Sequence, residues 1–138
     1  MSGQNEAIAR RYFEEIFNKG KLEVAEEIVA NTCINHDRVN EVQGIGGVKE
    51  LAAKYRKAFP DLHLAIEDTI SQADKVVVRW SWSGTHKGDL AGLAPTGKQT
   101  GGTGTTVFRV AGGKIAESWV NWDTLGMLEK LGVVAQAG

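Results

Sequence analysis

The chain is short of cysteine, of proline and of long apolar runs, and each shortage narrows what it is. Its single cysteine, Cys33, cannot close an internal disulfide, and its neighbours Thr32 and Ile34 mark it as a small buried side chain rather than a reactive thiol. Two prolines in 138 residues leave no proline-rich linker, and no apolar stretch reaches the roughly 20 residues of a membrane-spanning helix. The opening MSGQNEAIARRYFEEIF has no basic segment followed by an apolar one, so a cytoplasmic protein without a membrane partner is expected. Charge of one sign is missing as well. Sixteen Lys and Arg against 17 Asp and Glu give a formal net charge of -1, without the basic footprint that nucleic acid requires. Three histidines with no His-x-His or His-x-x-x-His spacing do not make a metal site, and no metal or other cofactor is expected. With no internal repeat, linker or low-complexity tract, residues 1–138 read as one domain.

What the chain does have is periodicity. Ile8, Tyr12, Phe13, Ile16 and Phe17 recur at steps of three and four with charged residues between them, which predicts a helix over 5–18 that Gly20 ends by taking a left-handed conformation. Leu22, Val24, Ala25, Ile28 and Val29 predict a second helix to about Ala30. Thr32 to Asp37 reads as a short edge strand on which Asn35 and His36 must point to opposite sides, with His36 preferred as the one facing inward. Val48, Leu51, Ala52, Tyr55 and Phe59 mark a third helix, stopped by Pro60 because the residue before proline avoids helical dihedrals.

The second half alternates with period two. Leu62, Leu64, Ile66 and Ile70 share one parity, Ala73-Asp74-Lys75 makes a turn, and Val76, Val78, Trp80, Trp82, Gly84 and His86 line one face of a long strand. Two further strands run from about Gln99 to Val110 and from Ile115 to Asp123, joined at Ala111-Gly112-Gly113. Between them and the earlier pair lies the loop Lys87–Lys98, whose Leu90 and Leu93 are expected to fold over a cavity mouth. This order predicts an α+β fold: a curved, mainly antiparallel sheet closed into a cone-shaped barrel by three N-terminal helices. Such a cone keeps a pocket at its wide end, for which Tyr12, Phe13, Trp80 and Trp82 are candidate walls. On the opposite parity Val77, Arg79, Val107 and Arg109 carry more apolar surface than a solvated face favours, so a homodimer through the outer sheet face is expected.

Chemistry is read at Asp123. Alternation along Ile115–Asp123 puts Glu117, Trp119, Asn121 and Asp123 on one face with Trp122 adjacent, so that two indoles flank one carboxylate. Away from water such a carboxyl loses solvation of its charged form and becomes a better proton acceptor near neutrality. The other reading is that Asp123 caps a helix starting at Thr124. His86, ending its Trp-rich strand, is a candidate donor to a substrate oxygen or a half-exposed strand-end residue, and His36 is treated in the same way. His63 is out of phase with Leu62 and Leu64 and receives no role.

The motifs Phe59-Pro60-Asp61, Gly84-Thr85-His86, Pro95-Thr96-Gly97 and Trp119-Val120-Asn121-Trp122-Asp123 occur in an order and spacing that resembles the SnoaL-like polyketide cyclase (ester cyclase) family of the nuclear transport factor 2-like superfamily. The resemblance covers nearly the whole chain. It implies a dimeric, cone-shaped α+β barrel with a cofactor-free pocket, in which an aspartate moves a proton during aldol ring closure of a polyketide ester. Asp123 matches that aspartate, with Asn121 on the same strand face as the alternative; Trp119 and Asn121 then join the substrate contacts. The expected activity is acid/base chemistry on a small hydrophobic carbonyl compound, against the alternatives of a non-catalytic small-molecule-binding or dimerisation module, an isomerase or an epoxide hydrolase.

Overall fold

The computed structural model describes residues 2–134 and shows four α-helices and a six-stranded sheet. Helix α1, Ser2–Arg11, runs on into a π-helical turn at Tyr12–Asn18, a wider coil that brings Tyr12, Phe13, Ile16 and Phe17 all to the buried side. Gly20 then takes φ +71°, and Arg56 reaches across to donate from Nη1 to the carbonyls of Phe17 and Asn18, 2.7 Å each, satisfying oxygens that a helix end leaves orphaned.

The second predicted helix is shorter than its apolar pattern suggests. A single 3₁₀ turn at Leu22–Val24 leads into α2, Ala25–Ile28, and strand β1 begins at Val29 and continues to Asp37. Val29 is β-branched and lies inside the sheet, so tertiary packing overrides the helical spacing there. Strand β2 is only Val42–Gln43, and α3 follows over Gly44–Ala58 with Val48, Leu51 and Ala52 inward; it stops before Phe59-Pro60, as expected.

Strands β3 (His63–Gln72), β4 (Lys75–Thr85), β5 (Gln99–Ala111) and β6 (Lys114–Trp122) form a meander, and α4, Thr124–Leu131, follows. The sheet order is β2-β1-β6-β5-β4-β3, with β1 parallel to β6 and every other pair antiparallel. Its two edges, β2 and β3, do not pair with each other, so the sheet is mixed and open and the helices cover the concave side. Among the described residues no helix is long and apolar enough to cross a membrane.

The row Val76, Val78, Trp80, Trp82 and Gly84 on β4, continued by His86 just past its end, is buried throughout, as its alternation predicts. The parity of β3 does not persist. A bulge between Ile66 and Asp68 shifts the register, so Leu64 is buried while Ile70 is 64% exposed. A second bulge between Arg109 and Val110 does the same to β6: Ile115 faces the core, and beyond it Ser118, Val120 and Trp122 turn inward while Trp119 and Asn121 turn outward. At the centre Tyr12, Phe13 and Phe108 meet with ring centroids 5.1 to 5.7 Å apart, and Phe13 lies 6.0 Å from Trp80.

Candidate functional site

The helices and the concave face of the sheet leave a cavity of about 90 Å³. That is the same order as the ~150 Å³ cavity known to admit benzene, so the space suits a small ring or a short chain. Tyr12, Phe13 and Phe17 come from the first helix, Leu51 and Tyr55 from α3, Leu62 and Leu64 from the start of β3, Trp80 and Trp82 from β4, and Val120 and Trp122 from β6. Into this apolar wall project Asn35 and Asp37 of β1, Asn40 of the following loop and Thr106 of β5.

Among the described residues Asp37 is the only carboxylate on this wall, and it is 8% exposed. Its Oδ1 accepts from the backbone N–H of Val39 at 3.0 Å, closing a turn at the end of β1, and its Oδ2 accepts from the indole N–H of Trp122 at 3.2 Å. Both bonds leave each oxygen a further lone pair. Two phenols share the cavity. Burial pushes Tyr55 up to about 12, the Asp37 charge adding to the rise and a bond from Asn40 Nδ2 (2.7 Å) opposing it. Tyr12 is raised further, by burial first and then by the charges of Cys33 and Asp37. Both therefore stay protonated at any ordinary pH. Tyr55 Oη accepts from Asn40 and keeps its own proton to donate, and Tyr12 Oη has no hydrogen-bond partner among the described residues.

The polar neighbours are tied down. Asn35 Oδ1 accepts from Ser118 Oγ, Asn35 Nδ2 donates to the Asn40 carbonyl at 3.4 Å, and Asn40 Oδ1 accepts from Lys54 at 3.0 Å. Trp80 donates its indole N–H to Thr106 Oγ1 at 2.9 Å. Among the described residues no group of three or more His, Cys, Asp or Glu is arranged to hold a metal ion.

Of the residues singled out from the sequence, Tyr12, Phe13, Trp80 and Trp82 line the cavity. The others lie elsewhere. His36 points to the outer face, stacked on Trp119 at 5.7 Å with Nε2 2.6 Å from Glu117 Oε2, because alternation from the buried Cys33 sends Asn35 and Asp37 inward instead. Trp119 and Asn121 flank an outer groove with His36, Arg38 and Glu41. Asp123 is exposed and caps α4, its Oδ1 accepting from Gly126 N at 2.8 Å; the strand has ended at Trp122, so no pair of indoles encloses it. His86 is fully buried, but Phe59 packs against its ring at 5.6 Å and it does not reach the cavity wall. Its Nδ1 accepts from Thr96 N at 3.2 Å, which assigns the ring proton to Nε2. Leu90 and Leu93 pair their backbones at 3.0 and 2.8 Å, with Leu90 buried in the core, and neither lines the cavity. The loop they belong to is strapped to the end of α3, where Lys87 N and Gly88 N donate to Ala58 O.

Asp37, Asn35, Asn40, Tyr55, Thr106 and Trp122 also line the site, and of these the sequence weighs only Asn35, with His36 preferred to it. The signal for the first two was present. A buried Cys33 on a strand carries Asn35 and Asp37 to the same side.

An open mixed sheet wrapped by helices around a polar-studded apolar cavity is the architecture of small-molecule-processing cones. The chain belongs to the SnoaL-like polyketide cyclase family, whose sequence profile matches residues 7–131. A candidate polyketide cyclase from Acidithiobacillus ferrooxidans is 30% identical, with a TM-score of 0.83 over 96% of each chain. A candidate SnoaL-like polyketide cyclase from Jannaschia is 25% identical, with a TM-score of 0.85 over 96% of this chain and 94% of the other. AclR of Streptomyces galilaeus, described as a candidate hydroxylase, shares the fold at 24% identity, TM-score 0.84, over 100% of this chain and 87% of its own. No curated protein matches this chain. Since cyclase and hydroxylase descriptions both occur among similar folds, the fold does not choose the reaction.

Proposed function

We propose that the protein is a cofactor-independent acid/base enzyme of the aldol-cyclase type, acting on a small hydrophobic carbonyl compound with Asp37 as the base. The observation that carries this reading is a nearly buried carboxylate on the wall of an apolar cavity that also holds two protonated phenols. Asp37 removes a proton from carbon next to a carbonyl, and the electron pair moves onto the carbonyl oxygen. Tyr12 and Tyr55 donate to that oxygen as its charge develops. The enolate carbon then adds to a second carbonyl of the same molecule, and the carboxylic acid of Asp37 returns its proton to the new alkoxide. Electrons and protons balance without an oxidant or reductant.

The direct test is exchange of the α-protons of ethyl acetoacetate in deuterium oxide, followed by proton NMR. Wild-type protein is expected to accelerate exchange, and Asp37→Asn is expected to lose that acceleration while still binding the ester. Binding without any acceleration by the wild type would favour a non-catalytic small-molecule module, the reading supported by the mainly apolar lining. A second copy of the chain is proposed to cover the outer face, where the side chains of Val77, Val107 and Arg109 stand half-buried on a sheet surface that no helix covers among the described residues. Sedimentation at micromolar concentration is expected to give twice the 14.9 kDa chain mass.

A further inference from the structure

Three indoles face inward, and two of them are satisfied: Trp80 donates to Thr106 Oγ1 and Trp122 to Asp37 Oδ2. Trp82 is not. Its side chain lines the cavity, the residue is 7% exposed, and its Nε1 has no hydrogen-bond partner among the described residues. A buried donor without a partner is unfavourable and uncommon in a folded protein.

The wall beside this nitrogen carries a glycine. Trp82 pairs across the sheet with Gly102. A β-carbon at Gly102 would lie 3.7 Å from Trp82 Nε1, 3.6 Å from the Asp123 carbonyl oxygen and 3.8 Å from Asp123 Cβ. These are ordinary van der Waals distances. The missing side chain therefore leaves a niche of about one methyl group, bounded by Asp123 and within reach of an unspent N–H. Trp122 touches both sides of the site, holding Asp37 with its N–H and meeting Trp82 edge to face at 6.2 Å.

We infer that Trp82 Nε1–H anchors a second oxygen of the ligand in the niche over Gly102, so that the site takes a compact dicarbonyl or keto ester rather than a lone ketone. The inference rests on the reading of the cavity as a site for carbonyl compounds. One oxygen lies with the phenols near Asp37, and the other accepts from Trp82 beside Trp122. Two acceptors on one apolar frame fix the ligand along its length, which presents its activated carbon to the carboxylate in a single orientation.

The experiment follows the indole N–H resonances of ¹⁵N-labelled full-length protein, with the Trp82 signal identified by its loss in Trp82→Phe. The probes are ethyl acetoacetate and heptan-2-one, chains of the same length of which only the first carries the second carbonyl. Ethyl acetoacetate is expected to move the Trp82 proton downfield and heptan-2-one to leave it in place. Gly102→Ala, which fills the niche at unstrained distances, and Trp82→Phe are each expected to weaken ethyl acetoacetate roughly two- to tenfold, the range of one neutral hydrogen bond, and to weaken heptan-2-one less. Equal shifts from the two probes, equal losses for both, or no binding of the keto ester would overturn the inference. So would a shift of the Trp82 signal in ligand-free Asp123→Ala, which would show that the Asp123 carboxylate, swung away from Gly126, already occupies the niche. Failure of Asp37→Asn to affect exchange, with the Trp82 response intact, would remove the catalytic proposal and leave the anchor standing.

Discussion

Trp122 and Asp37, on parallel neighbouring strands, are joined by an indole N–H to carboxylate bond of 3.2 Å, and this bond selects which lone pairs of the base face the cavity. Asp37→Asn keeps the shape but removes the basic oxygen, so exchange is expected to fall by roughly 10²–10⁴. Trp122→Phe keeps the base and loses only its orientation. A smaller fall confined to kcat, with KM for ethyl acetoacetate little changed, is the expected signature, and equal losses from both variants would show that Trp122 does more than position Asp37.

Asp123 is a cap, and its substitutions should behave as cap substitutions. Asp123→Asn is expected to leave both thermal stability and exchange unaltered, because Asn accepts the Gly126 N–H about as well. Asp123→Ala should cost about 1 kcal/mol, read as a lowered denaturation midpoint. Loss of exchange in a stable Asp123→Asn protein would return the carboxylate at 123 to the reaction.

Gly104 sits where the indole wall is tightest. A β-carbon there would come within 2.4 Å of Trp80 Cζ2 and 2.8 Å of Trp122 Cβ, and a ring hydrogen-bonded to Thr106 has little room to move aside. Gly104→Ala is expected to destabilise the fold by about 1–3 kcal/mol through overpacking, whereas Gly102→Ala should not. Parallel urea melts of the two variants check the difference.

Acid should weaken the fold through three surface carboxylates. Thr69 and then Ser71 hold Glu6 below its usual range, two bonds from Thr85 do so for Asp61, and His36 followed by Arg109 do so for Glu117. Each binds protons less readily folded than unfolded. Its contribution is therefore present above the ordinary values of 4.5, 3.8 and 4.5 and is lost as pH falls through the lowered folded ones. The midpoint temperature should fall on acidification below pH 4.5, and Asp61→Asn with Glu117→Gln should flatten that fall. All three are solvent-exposed, so the effect is small and shrinks with added salt.

The cone was legible in the sequence wherever alternation ran unbroken. From Val76 to His86 no residue is inserted, and each parity assignment matches the burial. Where a bulge intervenes, as at Ile66/Asp68 or Arg109/Val110, one extra residue reverses everything beyond it, which is why Ile70 lies in solvent and Trp119 stands outside. The walls Tyr12, Phe13, Trp80 and Trp82 followed from helical and strand periodicity. Asp37 did not, because a carboxylate two residues after an asparagine on a short polar strand carries no local mark of burial, and only its phase with Cys33 reveals it.

The parallel docking of β1 against β6 sets the timing of the site's appearance during folding. Asp37 and Trp122 are 85 residues apart, and the two strands they end cannot meet until the whole segment between them has been synthesised. Contacts of such long sequence separation form late, because loop closure must come first. A nascent chain that has not yet released Lys114–Trp122 from the ribosome holds Asp37 on an unpaired strand edge, wet and without its indole. The Asp37–Trp122 pair then arrives together with the last strand, as an all-or-none property of the finished sheet.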